Sequence, residues 1–175
     1  MTIEEVWATL QQEAEVVAEK ELILAKVLAE FVLGRESFAD ALGWRLAARL
    51  GRSSVPEKDL RELVRDAFLD EPESLLKVCA DARAVRERDP ACRDFLSPFL
   101  YFKGFQALSG YRVANYLWRH DRKELAQYLQ SLIAAVYTVD IHPAATIGKG
   151  ILLDHATGFV AGETTVIEDD VSILH

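Results

Sequence analysis

A repeat of six residues governs the final stretch of this chain. Every sixth residue from Ile141 reads Ile141, Ile147, Leu153, Phe159, Thr165, Val171, and five of these six are bulky and apolar. Gly148, Gly150, Gly158 and Gly162 fall between them. A period of six matches neither the 3.6 of a helix nor the 2 of a single strand. It matches a hexapeptide-repeat parallel β-helix, in which short strands and tight turns build a three-sided prism. The pattern fills residues 139–175 and stops in mid-pattern at His175. At three hexapeptides, or ~18 residues, per coil, the stretch holds about two coils. Repeat folds need at least ~3 repeats and a capped end, and two coils leave an open strand edge. The chain therefore reads as the start of a β-helix, C-terminally truncated.

Upstream the spacing is helical. Thr2 with Glu5 makes a capping-box pattern and places a helix start at Ile3. Val6, Leu10, Val17, Leu24, Leu28 and Phe31 keep helical spacing as far as Gly34, a natural stop. Ser37 with Asp40 opens a second helix over Phe38–Leu50. A loop follows at 51–54, and Pro56 suits the first turn of a third helix that runs to about Phe68. A fourth starts in the DEPES segment at 70–74 and ends near Glu87, because the residue before Pro90 avoids helical angles. Aromatic residues then crowd the chain from Phe95 to Trp118. They read as a buried helix pair broken around Gly110, or as a subunit interface, where aromatics are enriched. A last helix covers about 122–137. The expected class is α+β: an all-helical part over residues 1–138, then the first coils of a left-handed parallel β-helix over 139–175.

Charge and composition narrow the function. The formal net charge is −8, and nucleic-acid binding needs a basic footprint. The 139–175 stretch sets six acids against Lys149 alone, a solvated face or a receptor for an ammonium group. No apolar run is long enough to cross a bilayer, and the acidic N-terminus is unlike a signal peptide. Cys79 and Cys92 make neither a metal spacing nor a disulfide framework. They read as small buried hydrophobes in a reducing, cytoplasmic setting. No membrane partner is expected.

The polar residues with chemical potential lie in the repeat. Asp140 and His155 are 15 positions apart, on successive coils that stack ~4.8 Å apart. A carboxylate beside an imidazole fixes its tautomer and stabilises the imidazolium, giving a general base for a hydroxyl nucleophile. The bland alternative is an ordinary surface pair. His142, just before Pro143, reads as a structural hydrogen bonder, and His120 as a solvated side chain between helices. No third histidine is spaced to join His142 and His155 on zinc, so no metal is expected.

Longer words in the sequence are more specific than the period. They are RDPA at 88–91, YFKGFQAL at 101–108, YR at 111–112, VDIHPAATIGKGI at 139–151, LDHATG at 153–158, VAGET at 160–164 and VIEDDVSIL at 166–174. In these the chain resembles the bacterial serine O-acetyltransferases, which transfer acetyl from acetyl-CoA to the L-serine hydroxyl in cysteine biosynthesis. The resemblance spans the chain and is weakest before about Asp89. It implies that His155 is the general base, Asp140 its orienting carboxylate, and Asp89 and Asp154 the acids that hold the amino-acid substrate. It implies acetyl-CoA as co-substrate and direct transfer in a ternary complex. It implies a homo-oligomer, a trimer or a dimer of trimers. A C-terminal tail docking into O-acetylserine sulfhydrylase, the group that binds the substrate carboxylate and most coenzyme contacts belong, in the family, to coils beyond residue 175. Residues 1–175 alone are then expected to be inactive. Two other readings stand beside this one: a non-catalytic helical oligomerisation module, and a hexapeptide acyltransferase with another acceptor.

Overall fold

A computed structural model describes residues 2–52 and 54–174. Eight α-helices precede six short strands among these residues. Helix α1, Ile3–Lys20, opens on the expected box: Thr2 N donates to Glu5 Oε2 at 2.8 Å, and Glu5 N donates to Thr2 Oγ1 at 3.2 Å. Its buried stripe is Val6, Leu10 and Ala14. The chain does not run on as one helix to Gly34. It breaks at Glu21 (φ −124°, ψ 84°), resumes as α2, Leu22–Leu28, and closes in a π turn, Ala29–Leu33. Apolar spacing cannot see a single non-helical residue, because two helices in series keep nearly the same rhythm. The break leaves Leu22 and Ile23 81% and 89% exposed.

Helix α3, Phe38–Leu50, is capped by Ser37, which accepts from Asp40 N. Of the expected loop at 51–54, Ser53 lies outside the described residues, and Arg52 and Val55 form a small bridge. Helix α4, Glu57–Asp70, follows with Pro56 at its N-cap. Helix α5, Pro72–Arg88, carries proline at its first turn, where no backbone donor is needed. Helix α6, Leu96–Tyr101, ends at Phe102, and α7, Lys103–Arg119, continues unbroken through Gly110. The aromatic run does form a helix pair, but it is broken at Phe102. Gly110 serves close approach: a Cβ there would lie 2.8 Å from Ile133 Cδ1 of helix α8, Lys123–Tyr137. Phe95, Phe99, Phe105 and Tyr111 are buried within the chain, whereas Tyr101 is exposed.

Thr138 takes the left-handed conformation (φ 59°) and ends α8, and strand β1, Val139–Ile141, begins at once. The other strands are β2, Thr146–Ile147; β3, Leu152–Leu153; β4, Phe159–Ala161; β5, Val166–Ile167; and β6, Ser172–Ile173. They pair in parallel as β1–β4, β2–β5 and β3–β6, the three faces of a prism. His175, where the repeat stops, lies outside the described residues.

The register corrects the expected coil length. Ile141 pairs with Ala161, Ile147 with Ile167 and Leu153 with Ile173, an offset of 20 residues on every face. Two residues beyond the regular 18 are inserted between β3 and β4. The period-six series drifted by two after Leu153. Strand side chains alternate sides with period 2, so Phe159 and Val171 still pack against the core and the drift left no trace in hydrophobicity. One hydrophobic core runs from Val6 in α1 to Ala161 in β4, so the helices and the prism share a single interior.

Candidate active site

The inserted residues form the corner at 154–158. His155 (φ 47°), Ala156 (φ 57°) and Gly158 (φ 77°) all have positive φ. That region disfavours residues carrying a Cβ. The corner is tied by backbone bonds. Asp154 N donates to Ile173 O at 3.0 Å, Phe159 N to Ala156 O at 3.1 Å, and Gly158 N to Thr138 O at 2.8 Å. Ala156 tucks inward and is buried, which turns the His155 side chain outward at 76% exposure. A helical-domain cleft of about 620 Å³ meets the prism here. Asp89, Lys103, Asp154 and His155 line it, over an apolar floor that includes Val85, Phe102 and Leu152.

Three of the four expected site residues therefore share one cleft. His155 Nε2 is 3.7 Å from Asp154 Oδ1. Asp89 follows α5, and its Oδ1 accepts from Ala91 N at 2.8 Å, which fixes its carboxylate ahead of Pro90. Asp140 is placed differently, and in the same 20-residue coil as His155 rather than on a successive one. It sits half-buried on β1, where its Oδ1 accepts from Gln130 Nε2 of α8 at 2.7 Å. Among the described residues it neither lines this cleft nor forms an ion pair or hydrogen bond with His155. His142 Nδ1 accepts from Ala144 N at 3.1 Å, and the ring meets Trp118 edge-on at 5.0 Å, a structural role. His120 is exposed, with Nδ1 2.8 Å from Tyr116 O. Cys92 is nearer the cleft than its sequence position implies, packing with Val85, Leu152 and Phe102. Its Sγ donates to Asp94 O at 3.2 Å, and burial pushes its thiol up. No described group of three or more His, Cys, Asp or Glu is placed to hold a metal ion.

Several residues that position the site carry no reading of their own in the sequence: Arg88, Gly104 and Arg112 stand only as letters of a family word, and Asp81 lies in none. The buried Asp81 and Arg112 join α5 and α7 to the first coil. Arg112 donates from Nε (2.8 Å) and Nη2 (2.6 Å) to Asp81 Oδ2, and from Nη2 to Gly148 O at 2.9 Å. Asp81 Oδ1 accepts from Ile151 N at 2.9 Å. Burial pushes the Asp81 carboxyl up, against the pull of Arg112. Arg88, beside Asp89, donates to Gly150 O (3.1 Å) in the first coil, and to Asp170 O (2.9 Å) and Asp170 Oδ1 (2.9 Å) in the second. Gly104 lies so close to Leu153 O that no Cβ fits between them.

Comparisons with known proteins give the family. A family model described as "Serine acetyltransferase, N-terminal" matches residues 6–110. The chain belongs to the serine acetyltransferase family. Within the family, the serine acetyltransferase of Haemophilus influenzae is 46% identical over 174 residues, covering 99% of this chain and 65% of its own length. A serine acetyltransferase solved in complex with CoA superposes with a TM-score of 0.97 at 45% identity, over 99% of this chain and 74% of that one. The Neisseria gonorrhoeae serine acetyltransferase, solved in complex with serine, gives a TM-score of 0.94 at 43% identity, over 97% and 70%. The chain thus spans about 65% of the length of the curated family member named here.

Proposed function

We propose that this chain supplies the base-bearing part of a serine O-acetyltransferase site. The observation that carries the proposal is the cleft: one imidazole and two carboxylates converge where helices meet prism, in a family with members solved with CoA and with serine. In this reading the Asp89 and Asp154 carboxylates receive the serine ammonium. His155 removes the proton from the serine hydroxyl, and that oxygen attacks the thioester carbonyl of acetyl-CoA. The tetrahedral oxyanion collapses, the C–S bond breaks, and the imidazolium returns its proton to the leaving thiolate. Asp140, assigned from the family resemblance, is the carboxylate that orients the imidazole. The buried, protonated Cys92 takes no part, and transfer is direct.

The same reading places the enzyme in the cytoplasm, in cysteine biosynthesis. It assembles as a trimer or a dimer of trimers, with O-acetylserine sulfhydrylase as a partner. Support for assembly comes from Val160 and Val166, exposed apolar side chains on adjacent faces of the second coil. The test is His155→Ala in the full-length protein, assayed by thiol release from acetyl-CoA in the presence of serine. A positioned base contributes ~10²–10⁴-fold, and a loss of that order is expected with oligomer size unchanged. A near-wild-type rate would refute the base assignment.

A further inference from the structure

The corner that carries His155 is held from outside the prism. Three of its five residues have positive φ, and such backbone persists only where its surroundings over-determine it. Two adjacent residues at the start of α7 do this on either side of His155. Before it, the Gly104 backbone abuts the Leu153 carbonyl. After it, Lys103 Nζ donates to Thr157 Oγ1 and, at 3.1 Å, to Thr138 Oγ1. Thr138 starts the first coil and Thr157 closes it, so one ammonium ties the coil's beginning to its end. That tie runs parallel to the backbone bond from Gly158 N to Thr138 O. The His155 ring itself is largely exposed, so packing on the ring does not set its position. The corner does.

We propose that Lys103 is a positioning residue, whose bridge between Thr138 and Thr157 sets where the corner presents His155 to the cleft. The inference rests on His155 being the base. Its mechanism is geometric. With the bridge gone the corner relaxes, the imidazole leaves hydrogen-bond reach of the acceptor hydroxyl, and chemistry slows while binding surfaces persist.

The test is a double-mutant cycle in the full-length protein, with Lys103→Met, Thr157→Val and both together, and His155→Ala run beside them. A misplacement of ~1 Å can cost ~10²-fold, so each single variant is expected to lose about tenfold or more in kcat. KM for serine and for acetyl-CoA is expected to stay within about twofold, the signature of a lost transition-state interaction. Two residues acting through one bridge are not additive, so the double variant is expected to match the slower single within about threefold. Thr157→Val keeps the side-chain shape and so guards against a lysine variant that merely unfolds. The proposal is overturned by wild-type kcat in either single variant. It is also overturned by a raised KM with unchanged kcat, which would make Lys103 a substrate contact, or by a double variant slowed by the product of the singles. A wild-type rate for His155→Ala removes the functional reading and the Lys103 proposal with it. An inactive His155→Ala beside an unaffected Lys103→Met removes the Lys103 proposal alone.

Discussion

Tyr111 and Tyr137 lie where the helices meet the first coil, and both are buried. The Tyr111 hydroxyl donates to Ala145 O, and the Tyr137 hydroxyl has no hydrogen-bond partner among the described residues. Burial pushes each phenol up to about 12. An exposed or unfolded tyrosine ionises near ~10. Folded pKa values raised above the unfolded value favour the native state below that pH. This contribution is lost as pH rises from about 10 through about 12. An alkaline absorbance titration is therefore expected to show both tyrosines silent until the far-ultraviolet circular dichroism collapses. Complete ionisation of all five tyrosines by about pH 11 with native dichroism would contradict this. The same scale shows what single residues conceal. His142 is legible as structural from its place before Pro143, and Cys92 from the lack of any metal or disulfide spacing. The nearness of Cys92 to the cleft floor was not, because the fold that brings Val85 and Leu152 together is non-local.

Helix α7 is the element that docks the helical part on the prism, and its two glycines face different neighbours. Gly104 meets a backbone carbonyl, which cannot move without shifting β3. Gly110 meets the tip of the Ile133 side chain. Gly104→Ala is expected to destabilise by about 1–3 kcal/mol or more, the range for overpacking. At Gly110, alanine gains up to ~1 kcal/mol of helix propensity, offsetting the shift asked of Ile133, so the change is expected to be close to neutral. Urea midpoints of the two variants check the contrast, and equal losses would sink it. Helix ends at this scale are readable where capping chemistry is local, as at Thr2 and Ser37. The break at Glu21 was not readable, and Gly110 was misread as a breaker, because tertiary packing decides whether a helical glycine is a weak point or a contact.

The whole molecule is one body because a single core and the buried Asp81–Arg112 pair join its two parts. Each partner's side chain is 2% exposed. Removing one member of such a pair strands the other charge, so Arg112→Met is expected to cost about 3–5 kcal/mol in denaturant unfolding. Lys58→Met, which breaks the exposed Lys58–Glu62 pair on α4, is expected to leave the midpoint almost unmoved. A small loss for Arg112→Met would show that the buried pair is not what holds the two parts together. At this scale the sequence by itself determined the class of each part. Capping, amphipathic spacing and the period of six are local signals, so the helices and the parallel prism follow from residues near one another in the chain. Words such as LDHATG identified the family for the same reason. Only the tertiary structure decided the 20-residue coil, the placing of Asp140 away from the cleft, and the grip of Lys103 on the corner. An insertion of two leaves the strand alternation intact, so hydrophobicity could not reveal it. Contacts between residues more than fifty positions apart depend on how α5 and α7 pack across the prism, which no periodicity records.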